Sequence, residues 1–220
     1  EYILRDRQQR KLADMSLSSF VWETSSESPA PGGGSVAAAM GAMGAALGVM
    51  VANLSAHKRG WDARWEEFSA WAEKGVQIQK RLLELVDEDT NAYNAILRAF
   101  EMPKGNEEEK AARAAAIEEA TKLASIVPLT VMQEADRSFE LLAEMITEGN
   151  PNSVTDAGVG VLATRACIRG AWLNVQINVK SLKDKAFANS LLAQGREIDA
   201  RAADFEKDLI NMAGLPGISG

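Results

Sequence analysis

Val36–Ala52, VAAAMGAMGAALGVMVA, is the stretch on which the fold turns. It runs for 17 residues without a charge. A membrane span asks for about 20 predominantly apolar residues, and this run is shorter and dominated by Ala and Gly. It therefore reads as a buried helix of a helical bundle, over about 35–56. Gly41, Gly44, Ala45 and Gly48 recur at helical spacing, so a neighbouring helix can approach closely.

On the N-terminal side lies SSESPAPGGGS (25–35), a run of Ser, Pro and Gly that punctuates the chain. A short helix is expected before it, around 16–23, and a polar segment, EYILRDRQQRKLA, precedes that. On the C-terminal side the turn HKRGW leads into a long helix, about 63–100, interrupted at most near Gly75. MPKGNEEEK is a charged loop in which Asn106 can cap a first turn rich in Glu107, Glu108 and Glu109. The helix that follows runs to about Ile126, where Pro128 should kink or restart it. The next is expected over 129–148 and stops at Gly149-Asn150-Pro151. A second helix rich in small residues covers about 155–179, and a last one 184–212. No alternating strand pattern and no repeat is seen. The fold expected is all-α: a single-domain bundle with long helices and two buried small-residue helices, over 16–213. Residues 1–15 read as a linker or helical N-terminal segment and 214–220 as a tail.

Composition narrows the function classes. Among 220 residues, hydrophobic types make up 46% and charged types 25%, ordinary globular proportions that exclude intrinsic disorder. The net charge of −7 argues against a nucleic-acid partner, which would want a basic face. One Cys, Cys167, and one His, His57, exclude a disulfide framework and a Cys/His zinc site. No charged-then-apolar leader is visible, and the expected compartment is the reducing cytoplasm.

Three groups of residues invite a functional reading. Gly32-Gly33-Gly34 with Ala37 fits a G-x-G-x-x-A string, yet no apolar strand precedes it and no acidic residue follows about 20 positions on. No Gly-Lys-Ser/Thr follows either, so a nucleotide site is excluded. What survives is a Gly-rich turn opening a helix, whose free N–H groups can hold an anion or carbonyl oxygen; equally, it is a tight turn with Ser35 as the helix cap. The long helix carries an apolar stripe, Phe68, Trp71, Gly75, Ile78, Leu82, Leu85, Asp89, Ala92, Ile96, Phe100. Asp89 stands where a core residue belongs, while Asp87 and Glu88 turn to the polar side. A carboxylate there costs several kcal/mol unless paired, protonated or open to a pocket. It is either functional or the partner of a buried Arg such as Arg165. The third group is one face of the 155–179 helix: Asp156, Gly160, Ala163, Cys167, Ala171, Asn174 and Asn178, either a ligand-lined cleft or a hydrogen-bonded helix contact. His57 reads as a surface or capping residue and Cys167 as inert packing.

Taken together, SPAPGGGSVAAAMGAMGAALGVMVANL (28–54), LVDEDTNAYNAI (85–96) and the Asp156 helix ending GAWLNVQIN (170–178) resemble the formiminotetrahydrofolate cyclodeaminase family. In many organisms that domain is the C-terminal half of a bifunctional formiminotransferase-cyclodeaminase, and close relatives are methenyltetrahydrofolate cyclohydrolases. The resemblance covers about 17–205. It implies an all-α domain that dimerises, a catalytic carboxylate at Asp89, and a matching basic residue at Lys58, but no family role for His57. The implied reaction closes 5-formiminotetrahydrofolate to 5,10-methenyltetrahydrofolate with release of ammonia, a step of histidine degradation. It needs no metal and no redox cofactor beyond the folate. Gly32, Gly33, Gly34 and Ser35 would then line the substrate pocket. Asp156, Asn174 or Asn178 would meet the pterin's donor edge, and Lys58 the glutamate tail of a folate, polyglutamylated or not. The segment 1–15 resembles the join between the two halves, so a fused or paired formiminotransferase is an expected partner. Hydrolysis of the methenyl bridge is the nearest rival activity. A non-catalytic helical scaffold is the rival of another class, and it leaves Asp89 without a purpose.

Overall fold

The computed structural model describes residues 11–214; of the N-terminal segment expected over 1–15, residues 1–10 lie outside the described residues, as does the tail beyond 214, while Leu12–Asp14 form a 3-10 turn. The helices are α1 (Leu17–Thr24), α2 (Gly33–Ala56), α3 (Trp65–Glu101), α4 (Glu107–Asp136), α5 (Ser138–Thr147), α6 (Val154–Asn178) and α7 (Lys185–Met212). No strand occurs among the described residues, and the all-α single domain stands.

The two small-residue helices, α2 and α6, form the centre. α2 packs antiparallel against both α3 and α6: Gly34 and Ser35 meet Asp89 near the far end of α3, Gly41 meets Cys167, and Gly44 meets Thr164 and Gly160. The reason for small residues is measurable. A Cβ on Gly41 would lie 2.6 Å from the Cys167 sulfur, and one on Gly44 2.6 Å from the Thr164 hydroxyl. By length and composition α2 is apolar enough to cross a membrane, yet 56% of its most apolar window is buried inside this body. The stripe predicted on α3 faces it: Phe68, Ile78, Leu82 and Leu85 are fully buried, each contributing about 1.5–3 kcal/mol. Phe100, at the end of that stripe, is exposed.

One boundary differs from expectation, and one break that the sequence allowed is not made. α3 is continuous through Gly75, which is small because Val49 and Leu141 press on it. α4 continues as one helix past Pro128 rather than restarting there, and the break comes at Arg137 instead. Proline removes the N–H that would have bonded the carbonyl four residues earlier, here that of Ala124. The amide of Asn178, at the end of α6, donates to the Ala124 oxygen at 2.7 Å. A side chain from another helix thus replaces the lost bond, which sequence periodicity cannot show. This assigns Asn178 a structural duty in place of the substrate contact expected of it. Asn178→Ala should lower stability by about 1–3 kcal/mol, the cost of a stranded buried acceptor, while turnover per folded molecule changes little. Thermal unfolding beside activity checks this, and a variant that melts normally but loses activity would reverse the assignment.

The other cap signals hold. Asn106 accepts from the Glu109 N–H at 2.8 Å. Asn150 donates its N–H to the Ser55 hydroxyl at 2.8 Å, tying the stop after α5 to the end of α2.

Candidate active site

α2 begins without a side-chain cap of its own, because its N-cap is Gly32. Its first turn leaves N–H groups without intrahelical partners, at the positive end of the helix dipole. Asp89 on α3 fills the capping place from a different helix. A Cβ on Gly34 would sit 2.1 Å from the Asp89 Oδ1, so the carboxyl occupies the space a side chain there would need. Ser35 is not the helix cap it resembled in sequence. It lies fully buried at the third helical position, and its Oγ is 3.0 Å from both Asp89 Oδ2 and the Val86 carbonyl oxygen. Thr90, which the sequence did not single out, places its hydroxyl 3.3 Å from the same Oγ. It follows Asp89 directly and lies 55 residues from Ser35, so only the helix pairing reveals it.

Asp89 is half-buried, and burial is the main influence on it, raising its pKa above the ordinary carboxylate range. The hydroxyl and backbone N–H of Ser35 pull the other way and only partly offset it. No cation pairs with it among the described residues. Arg165, the partner an ion-pair reading would need, is engaged with Asp199 at 2.6 Å and Glu206 at 3.3 Å. The neighbouring acids are spent on structure: Asp87 accepts from the Leu12 N–H at 2.6 Å, and Glu88 pairs with Arg81. The backbone N–H groups of Gly33 and Gly34 have no acceptor among the described residues. Beside them Asn174 donates to the Gly170 carbonyl at 2.9 Å, and its Nδ2 lies 3.8 Å from where a Gly33 Cβ would be.

Gly32, Gly33, Gly34, Ser35, Asp89 and Asn174 thus gather at one end of the α2–α3–α6 centre. Asp156 and Lys58 do not. Asp156 is 18 residues before Asn174 on α6, about 27 Å at the helical rise, where its charge suits the first turn of that helix. Lys58 follows the opposite end of α2, beyond His57, with its Nζ 3.8 Å over the Trp61 ring. Period-3.6 reasoning puts residues on one face but says nothing about their height along it, which is why Asp156 was grouped with the site; Lys58 was expected there from the family resemblance alone. Cys167 is inert, its thiol fully buried and pushed up to about 12 by desolvation. Among the described residues no three His, Cys, Asp or Glu side chains converge as metal ligands would.

At the glycine-lined start of α2 a carboxyl with a raised pKa thus stands beside free N–H donors and an amide, an arrangement that can exchange a proton with a polar ligand. Residues 16–197 match the formiminotransferase-cyclodeaminase family, and the chain belongs to it. A methenyltetrahydrofolate cyclohydrolase of Methylorubrum extorquens is 37% identical over 202 residues, covering 89% of this chain and 97% of that protein. The formimidoyltransferase-cyclodeaminase of Mus musculus is 36% identical over 188 residues; the match covers 85% of this chain but 35% of the mouse protein. The crystal structure of formiminotetrahydrofolate cyclodeaminase from Thermotoga maritima superposes with a TM-score of 0.80 at 26% identity, over 91% of this chain and 96% of that one.

Proposed function

We propose that this domain is a formiminotetrahydrofolate cyclodeaminase, with Asp89 as its proton carrier. The observation that carries the reading is the Asp89 carboxyl itself: raised in pKa, paired with no cation among the described residues, and held against the first turn of α2. In the reaction, nitrogen 10 of the folate attacks the formimino carbon on nitrogen 5. The tetrahedral centre must lose a proton from nitrogen 10 and gain one on the amine that leaves as ammonia. Starting from the protonated formimino group, a carboxyl whose pKa burial has raised can take the first proton and deliver it as the second, so the balance closes on Asp89. Such general acid–base help contributes about 10²–10⁴-fold. Holding the two nitrogens together adds an orientation effect, for which the Gly33 and Gly34 N–H groups and the Asn174 amide supply polar anchors.

A second reading rests on the cyclohydrolase relative, whose length the match covers almost completely. There water attacks the methenyl carbon and Asp89 would accept the water's proton. The two are separated by presenting purified protein with 5-formiminotetrahydrofolate and, separately, with 5,10-methenyltetrahydrofolate. The expected result is faster appearance of methenyl absorbance together with ammonia. Accelerated loss of methenyl absorbance without any deaminase activity would replace the cyclodeaminase reading by hydrolysis, and no acceleration of either would sink both. A formiminotransferase that supplies the substrate, fused or separate, follows as the partner.

The proposal extends to a homodimer. α2 keeps Met43, Met50 and Leu54 exposed at helical spacing along one side, with no charge among its residues. Pairing two α2 helices antiparallel through that stripe would carry Lys58 of one copy toward the Gly32 end of the other, where it could meet a glutamate tail. Light scattering should return about twice the 23.7 kDa chain mass; a monomer mass at micromolar concentration would count against it.

A further inference from the structure

We propose that the Ser35 hydroxyl is a positioning residue that reverses its hydrogen bond as the proton on Asp89 comes and goes. This rests on Asp89 being the proton carrier of the reaction proposed above. Ser35 Oγ carries one hydrogen but has three oxygen neighbours: Asp89 Oδ2 and the Val86 carbonyl at 3.0 Å, and the Thr90 hydroxyl at 3.3 Å. It is fully buried, so water does not take over any of these roles.

The hydrogen inventory closes in both protonation states. With Asp89 ionised, Ser35 donates to Oδ2, a charge-assisted bond, and the Thr90 hydroxyl donates to Ser35. The Val86 carbonyl then relies on its own helical partner. With Asp89 protonated, the acid proton is donated to Ser35 Oγ, and the Ser35 hydrogen swings to the Val86 carbonyl. Only hydrogens move. Ser35 is held in the first turn of α2 and Val86 lies within α3, so the heavy atoms need not rearrange between states. An alanine would leave the ionised form without its side-chain donor and the protonated form without its acceptor.

The surroundings keep other charges out of this exchange. On α2 the facing residues are Gly33, Gly34 and Ser35, and on α6 Asn174; none is ionisable. On α3, Asp87 is held by the Leu12 N–H and Glu88 by Arg81. On α4, which packs along α3, Lys122 is held by Glu119 and Asp184. The influences that act on Asp89 are its burial and Ser35.

The test is a ¹³C-carboxyl NMR titration of Asp89 in the wild type and in Ser35→Ala, with the pH profile of turnover measured alongside. Ser35 bonds both states, but its bond to the ionised carboxylate is charge-assisted and the stronger, so its removal should move the Asp89 midpoint up by about one pH unit, and the turnover profile by the same interval. Ser35→Cys, a weaker donor of similar shape, should fall between the two. An Asp89 midpoint unchanged in both variants overturns the proposal. The titration needs no substrate, so a wild type that turns over neither folate would refute the functional reading and still leave the Ser35 shift to be read.

Discussion

Asp89→Asn protein is expected to turn over folate about 10²–10⁴-fold more slowly than the wild type while melting at the same temperature or higher. The loss in rate is the usual span of general acid–base catalysis, since an amide keeps the shape of the acid but cannot exchange a proton in the useful range. The retained stability follows from the surroundings. Asn can still accept from the hydroxyl and N–H of Ser35, so α2 keeps its cap from α3. It also removes a desolvated carboxyl. Burial raises the folded-state pKa of Asp89 above its unfolded value, so the folded protein holds that proton more tightly. This contribution favours folding below the unfolded pKa and fades as pH rises through the folded one. Asp89→Asn should therefore flatten that part of the stability-versus-pH curve. Arg165 already has Asp199 and Glu206, so no buried cation is stranded and the 3–5 kcal/mol penalty of a broken buried pair, roughly, should not appear. A variant that melts far earlier yet keeps near-normal turnover per folded molecule would remove Asp89 from the chemistry.

Gly34→Ala should cost at least about 10²-fold in turnover, because displacing a catalytic group by about 1 Å is enough for that loss. The added methyl falls 2.1–2.7 Å from the Asp89 carboxyl atoms. The carboxyl sits on a short side chain between packed helices, so either it swings away or the start of α2 shifts. Overpacking costs about 1–3 kcal/mol, against at most about 1 kcal/mol gained from replacing a helical glycine. Gly33→Ala is the contrast. Its Cβ meets nothing nearer than the Asn174 amide at 3.8 Å, an ordinary contact, and the protein should melt unchanged or slightly higher. Measuring kcat and melting temperature for both variants decides it. A Gly34→Ala protein with wild-type turnover would mean that the carboxyl position is not critical.

Local chemistry was legible in the amino-acid order wherever the controlling residues were neighbours. The Asn106 cap, the stop at Gly149-Asn150-Pro151 and the spans of α2 and α6 all depend on atoms within a few residues of each other. Asp89 also stood out, because a carboxylate breaks a 3.6-residue apolar period whatever the helix packs against. The restart expected at Pro128 does not occur, for the complementary reason: its lost bond is replaced by Asn178, 50 residues away in the chain. Within one chain Asp156 does not join the glycine turn for a similar reason, since helical periodicity fixes an angle around the axis and not a height along a neighbour.

By itself, then, the order of residues determined an all-α body with two small-residue helices at its centre and one acid on an apolar stripe. Each of these is a property of a single helix, set by propensity and period. Only the tertiary structure decided what that acid does. The antiparallel pairing of α2 with α3 brings Asp89 to a helix start that has no cap of its own, beside a buried hydroxyl and two free N–H groups. Those groups lie 54–56 residues away in the chain, and close packing of glycine against carboxyl, rather than any local preference, sets their distance.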